Sequence, residues 1–276
     1  MNKKVGAILR HSFLWVWVLV LLVPVIFMFL TSLKLFRDII SGSILFSPTL
    51  RNYRELFLAS HSDFRRLTLN SIITSVGTTL IGVTVASLAA NSLTRFQWNK
   101  WVSGLIMGGV LFIYLLPPII FIGPFYLLTR SLGVYDTPLA IIMGHTAFNL
   151  PLAVSMLYDF FADIPKELEE AAVVDGANRI QTFLRIVLPI ARPGVAATAA
   201  LVFIFSWREF MFALSMTSTP RGMTIPVGIS AFVQEYNIRY GEMSAAAIFA
   251  MLPAVILFIF AQRNIVKGMT LGALKG

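Results

Sequence analysis

The chain has 276 residues, of which 57% are apolar and only 13% charged, with a mean hydropathy of +0.81. Soluble domains carry about 25% charged residues, so this composition excludes an ordinary water-soluble fold and makes lipid the solvent for most of the chain. There is no cysteine, hence no disulfide framework or thiolate metal site, and the net charge of +9 comes from basic residues scattered among loops rather than massed in a nucleic-acid-binding stripe.

Lys3, Lys4 and Arg10 precede an uncharged run at 12–33. That run is too long for a signal-peptide core and no A-x-A site follows it, so it reads as an uncleaved first span with its N-terminus in the cytoplasm. Pro24 is expected to kink it. The polar connection Lys34–Arg66 then lies outside. A second span at 67–94 carries Gly77, Gly82, Ala86, Ala89 and Ala90 for close helix contact. A tight inner turn leads to a third span at 101–129, broken by Pro117, Pro118 and Pro124, and a fourth at 137–160 contains His145, Asn149 and Pro151. A fifth span at 193–219 is interrupted only by Arg208 and Glu209, and a sixth at 243–262 leads into a basic tail. The expectation is an all-α membrane protein in which residues 1–276 form a single domain with six transmembrane helices and both termini cytoplasmic. The basic residues favour the inner side only slightly, so orientation rests mainly on the loop between the fourth and fifth spans.

That loop, 163–189, is the one long stretch where charge is dense. It reads as two short helices with a bend. Asp163 is placed to cap the first helix and Pro165 to sit in its first turn, with Glu167, Glu169 and Glu170 complementing the helix dipole. Gly176 suits the left-handed residue that ends this helix. Asn178 and Gln181 have capping-box spacing at the start of the second, which Pro189 closes. An acidic helix-turn-helix knob beside a membrane is suited to docking on a partner.

Glu170-Ala171-Ala172, Gly176, Ile186 and Leu188-Pro189 have the spacing of the EAA signature, and on these residues the loop resembles that of ABC-importer permeases. Further pieces resemble the carbohydrate-uptake branch, similar to the maltose-type second permease subunit. These are Ser47-Pro48-Thr49 with Asn52-Tyr53, Asn70-Ser71, Leu132-Gly133-Val134 with Asp136-Thr137, Ser206 to Phe210, and Gln262 to Gly276. The resemblance implies a type I ABC importer permease (MetI-like) fold in a bacterial inner membrane. It implies as partners a second permease subunit, two ATPase subunits and an extracytoplasmic substrate-binding protein. ATP and Mg would be bound by the ATPase subunits, and this chain would bind no cofactor and catalyse no reaction. Within the loop, Glu170, Ala171, Ala172, Asp175, Gly176, Leu188 and Pro189 are the residues the resemblance marks as coupling to the ATPase. No P-loop, H-E-x-x-H or G-x-S-x-G motif occurs, and the three histidines lack metal-ligand spacing.

For the substrate pathway the candidates are Tyr114, Asn149, Trp207, Arg208, Glu209 and Phe210, with Phe212 as a further aromatic able to stack on a sugar face. Where the resembled branch commonly carries Asn, this chain carries Arg208. An arginine at a helix centre costs roughly 2.5–3.5 kcal/mol on insertion scales, so it is expected to face protein or a wet cavity. It can hold an anionic group of a transported sugar or pair with an acid on a partner subunit. A direct pair with Glu209 is poorly placed, because neighbouring helix residues point apart. The expected cargo is a sugar or sugar derivative. A polyol or glycerol phosphodiester permease and a stand-alone secondary transporter remain alternatives, the second needing more ion-coupling carboxylates than Glu209.

Overall fold

In a computed structural model that describes residues 3–96, 98–233 and 238–273, side chains of 3–9, 261 and 263–273 excepted, the described chain is built from helices. The basic side chains of Lys3 and Lys4, and those of the terminal motif beyond Gln262, lie outside the described ones. Along the chain, α1 spans Lys3–Ser32, α2 Phe36–Ile40, α3 Arg51–Leu58 and α4 Phe64–Arg95. Next come α5 (Lys100–Leu115), a 3-10 turn at Pro118–Phe121, α6 (Ile122–Ser131) and α7 (Pro138–Ala162). Then α8 (Glu167–Val174), α9 (Arg179–Thr182), a π-helical turn at Phe183–Val187 and α10 (Leu188–Ile190) lead into α11 (Arg192–Arg208). The last helices are α12 (Met211–Met216), α13 (Ile225–Ser230) and α14 (Tyr240–Ala273).

Four helical stretches are long and apolar enough to cross a bilayer singly: Arg10–Ser32, Phe64–Arg95, Pro138–Ala162 and Tyr240–Phe260. Two bent pairs, Lys100–Leu115 with Pro118–Ser131 (95°) and Arg179–Ile190 with Arg192–Arg208 (78°), bring the number to six if each pair is one span. The first bend has a local cause. Proline drives the residue before it out of the helical region, and Leu116 and Pro117 are both extended. Pro124 does no such damage, because it falls in the first turn of α6, where a missing N–H breaks no bond.

The stretch 193–219, read from sequence as one span, is divided differently. Its helix stops at Arg208, Glu209 is extended, and a separate short helix, α12, follows. On its other side α11 meets the helical stretch Arg179–Ile190 at a bend of 78°. A carboxylate inside an apolar span must find donors, and breaking the helix frees backbone N–H groups to supply them.

The chain forms two compact units, 1–65 with 228–252 and 66–227 with 253–276. In the first, the buried Asn52 amide donates to the carbonyls of Ser32 (2.8 Å) and Lys34 (2.9 Å), fixing α3 to the end of α1. Phe57, Phe64 and Phe249 meet edge to face at 5.0–5.7 Å. The second unit is organised around α7, which packs against α5 and α11. Its core joins Val83, Ala86 and Ala90 of α4 to Ala153, Val154, Leu157 and Phe161 of α7 and to Val202 of α11. Small residues let these backbones approach, since lipid is as apolar as leucine and packing must drive the association. At Gly144 the approach is tightest: an added Cβ would lie 2.1 Å from Phe212 Cζ.

A turn at 132–137 closes this unit at one end. Asp136 has φ +60°, and its carboxylate accepts hydrogen bonds from the N–H groups of Ser218 (2.8 Å) and Thr219 (3.0 Å) and from the Thr219 hydroxyl. Partial burial works against its charged form, but these hydrogen bonds and the charge of Arg221 outweigh it and hold the carboxyl below its ordinary value.

Gly144→Ala is expected to destabilise the purified protein by about 1–3 kcal/mol through overpacking, and Phe212→Leu in the same chain should recover part of the loss in a thermal unfolding assay. For Asp136, the folded value lies below the unfolded value of 3.8, so its stabilisation is whole above that pH and is lost as pH falls through the folded value. Asp136→Asn should therefore lower the melting temperature at neutral pH, with the gap to the parent protein closing below pH 3.8.

Candidate functional site

Two places collect the residues singled out from sequence, and both lie in the unit built on α7. The first is the polar hairpin of α8 and α9. Asp163 does not cap its first helix; it terminates α7, its own N–H bonding the carbonyl of Asp159. The reason is Pro165, which keeps Ile164 from continuing a helix, so α8 starts only at Glu167, beyond the proline. The other local expectations are met. Gly176 has φ +87°, and Gly176 N bonds Val173 O (3.0 Å) while Ala177 N bonds Ala172 O (2.9 Å), the paired bonds of a Schellman C-cap. Asn178 Oδ1 accepts from Gln181 N and Gln181 Oε1 accepts from Asn178 N, each at 2.9 Å, completing the capping box.

Pro189 has no N–H to offer the carbonyl of Arg185. Immediately before it the helix widens into the π turn Phe183–Val187, and the Leu188 N–H reaches back to Phe183 O. The helix ends at Ile190, and the 78° bend into α11 follows. Of the residues marked as coupling, Glu170, Ala171, Asp175 and Gly176 lie on the exposed surface, Ala172 and Pro189 are half-buried, and Leu188 packs on the core. The carboxylates do not behave alike: Glu169 pairs with Arg95 at the end of α4, whereas Glu170 makes no ion pair among the described residues, though both line a concavity of about 750 Å³ with Lys166 and Arg179.

The second place is a cavity of about 480 Å³ between α5, α7 and α11. Tyr114, Asn149, Arg208 and Glu209 all line it, together with His145, Phe148 and Phe205. Trp207 and Phe210 do not. Trp207 is buried and stacks on Phe203 (5.7 Å, 14° between planes), and Phe210 packs with Phe212 in a core cluster beside the cavity.

Glu209 organises the cavity wall. Its Oε1 accepts from Phe212 N (2.8 Å) and its Oε2 from Ala213 N (3.0 Å), capping α12, while Oε2 also meets His145 Nε2 at 3.0 Å. His145 is itself buried, and its Nδ1 meets Ser206 Oγ at 2.8 Å, so one imidazole ties α7 to both sides of the break after α11. Arg208 lines the cavity outside this network. It is exposed, forms no ion pair with Glu209 or any other acid among the described residues, and lies over the Phe205 ring at 4.8 Å. Asn149 Nδ2 donates to the carbonyl of His145 at 2.7 Å.

Sequence reasoning missed His145 as a member of this network, and Phe148 and Phe205 as walls. A signal was present: His145, Phe148 and Asn149 repeat at i, i+3, i+4, as do Phe205, Arg208 and Glu209, so each set shares one helix face. No group of three or more potential metal ligands occurs among the described residues.

Comparison with known proteins fits this architecture. Residues 79–271 match the family described as "Binding-protein-dependent transport system inner membrane component". The chain is 36% identical over 258 residues to the trehalose transport system permease protein SugB of Mycobacterium tuberculosis, covering 92% of this chain and 93% of that one. It is 38% identical over 232 residues to the trehalose/maltose transport system permease protein MalG of Thermococcus litoralis, covering 84% and 83%. Its fold is like that of a chain in the crystal structure of a bacterial ABC transporter that imports the acidic polysaccharide alginate, with a TM-score of 0.78 at 21% identity over 95% of this chain and 97% of that one. The chain thus belongs to the family of inner membrane components of binding-protein-dependent transport systems, as a non-catalytic permease subunit of the ABC importer type.

Proposed function

We propose that the chain is one permease subunit of an ATP-driven importer for a sugar or sugar derivative, and that the cavity lined by Tyr114, Asn149, Arg208 and Glu209 lies on the cargo's path. The relatives named for trehalose and maltose uptake support the carbohydrate class. The observation that carries the site is the convergence of these four side chains on one cavity at a break in a membrane helix. Irregular backbone at membrane depth is tolerated where it lines such a space. Tyr114 offers an apolar ring with a hydroxyl, and Asn149 an amide, the combination that grips the faces and hydroxyls of a sugar ring. Arg208 adds an exposed guanidinium without a carboxylate partner among the described residues, which favours a cargo bearing a carboxylate, phosphate or sulfonate.

On this reading the α8–α9 hairpin is the coupling element and faces the cytoplasm, with the termini. A second permease completes the pathway, two ATPase subunits bind below, and a binding protein delivers cargo from outside. Closure of the ATPase dimer on ATP pulls the hairpin inward and opens the cavity to the outer side. Glu170, exposed beside Ala171 on α8, is the residue for the ATPase contact. A polyol or glycerol phosphodiester would use the same cavity chemistry, and cargo tests separate them.

In proteoliposomes holding the full complex, Glu170→Lys should lower uptake roughly tenfold or more while the complex still inserts, because a reversed charge in a docked interface is repelled. Uptake at the parent rate would remove Glu170 from the contact. Arg208→Gln should raise the apparent KM for an anionic sugar roughly tenfold, the loss of one charge-assisted hydrogen-bonded pair, with neutral disaccharide uptake unchanged. Equal effects on both cargoes, or none, would rule out the anion role.

A further inference from the structure

We propose that Arg95 is a positioning residue of the transport step: it clamps the end of α4 to the α8–α9 hairpin, so that displacement of the hairpin is passed directly to α4. The inference rests on the coupling role of the hairpin proposed above.

Arg95 is the last residue of α4, and its fork reaches three acceptors on two other elements. Nε pairs with the Glu169 carboxylate of α8, while Nη2 donates to the carbonyls of Phe161 (2.9 Å) and Ile164 (3.2 Å) where α7 ends. Both carbonyls lie at the terminus of α7, where a cation complements the helix dipole, and Phe161 O accepts from Ile164 N (3.2 Å) as well. The Arg95 and Glu169 side chains are only 11% and 17% exposed, so solvent screens the pair weakly. The next residue, Phe96, receives the Arg179 guanidinium over its ring at 4.8 Å. Two consecutive residues at the end of α4 therefore hold both arms of the hairpin, α8 through Glu169 and α9 through Arg179.

The covalent chain alone would not achieve this. The hairpin is continuous with α7 through 163–166 and with α11 through Ala191, but α4 is distant in sequence. Its core contacts through Val83, Ala86 and Ala90 are apolar and carry no directional bond. A planar guanidinium holding three acceptors fixes both distance and orientation, which a lysine ammonium on a flexible stem does not. Glu169 and Glu170 are adjacent on α8 and line one concavity, but Glu169 is half-buried and paired with Arg95 while Glu170 is exposed and free of ion pairs among the described residues, available to a partner.

The test is the ratio of sugar carried to ATP hydrolysed by the complete complex in proteoliposomes, with assembly followed by co-purification of the ATPase subunits. Arg95→Gln and Glu169→Gln should each lower that ratio roughly two- to thirtyfold, the range by which residues in a coupling network act, and the double variant should be no worse than either alone. If Arg95→Gln fails to assemble, Glu169→Gln on the hairpin surface decides the matter by itself. A parental ratio in Glu169→Gln, or a loss of assembly with the ratio kept, overturns the clamp. Glu170→Lys, run in parallel, separates the two ideas. Its uncoupling beside a normal Glu169→Gln leaves the hairpin's role standing and removes Arg95. A normal Glu170→Lys removes the ATPase contact assigned to Glu170 whatever Arg95 does.

Discussion

A single carboxylate in an apolar stretch shapes the cavity between α5, α7 and α11. Glu209 sits where a continuous helix would leave it without donors, and an unsatisfied charge in hydrocarbon costs far more than one lost helical turn. The helix therefore ends at Arg208, and the freed N–H groups of Phe212 and Ala213 turn onto the carboxylate. His145 supplies the remaining contact and is held in turn by Ser206. The shape of the cavity, the direction of α12 and the exposure of Arg208 all follow from that arrangement.

The polar hairpin is governed by different physics. Its helices are too short to persist on propensity alone, so terminal devices carry the geometry. Gly176 closes α8 at positive φ, the Asn178–Gln181 box opens α9, and Pro189 forces the widened turn that precedes the bend into α11. The hairpin is tied to the bundle by part-buried polar contacts at Arg95, beside the apolar packing of Phe183 on Phe161, and its outer face remains exposed. Rigid attachment inside and exposed carboxylates outside suit an element that receives a push.

These two places lie at opposite ends of one packed group of helices. α7 runs from the Asp136 turn, past His145 and Asn149 in the cavity wall, to Phe161 beneath the Arg95 fork. Its core contacts to α4 and α11 join Ala153, Val154, Leu157 and Phe161 to Val83, Ala86, Ala90 and Val202, and the small residues among them let the helices sit close.

The sequence by itself determined what local chemistry can determine. Hydropathy places the long apolar runs, four of which are single helices long enough to cross a bilayer, because apolar length against bilayer thickness needs no tertiary information. The cap at Gly176 and the box at Asn178 involve residues a few positions apart, and both stand as read. Tyr114, Asn149, Arg208 and Glu209 were recognisable as polar or amphipathic groups in apolar runs. Their meeting in one cavity, and the withdrawal of Trp207 and Phe210 from it, was decided only by how α5, α7 and α11 pack. The division of the fifth span was likewise settled by tertiary structure, since His145, sixty-four residues away, joins the Phe212 and Ala213 N–H groups in holding Glu209 at the break. Asp163 was assigned to the wrong helix for a related reason: Pro165 blocks its continuation into α8, while the carbonyls at the end of α7 are claimed by Arg95, from a helix that no spacing rule connects to them. Contacts between sequence neighbours follow from backbone stereochemistry, whereas contacts between distant residues depend on which surfaces the packed helices bring face to face.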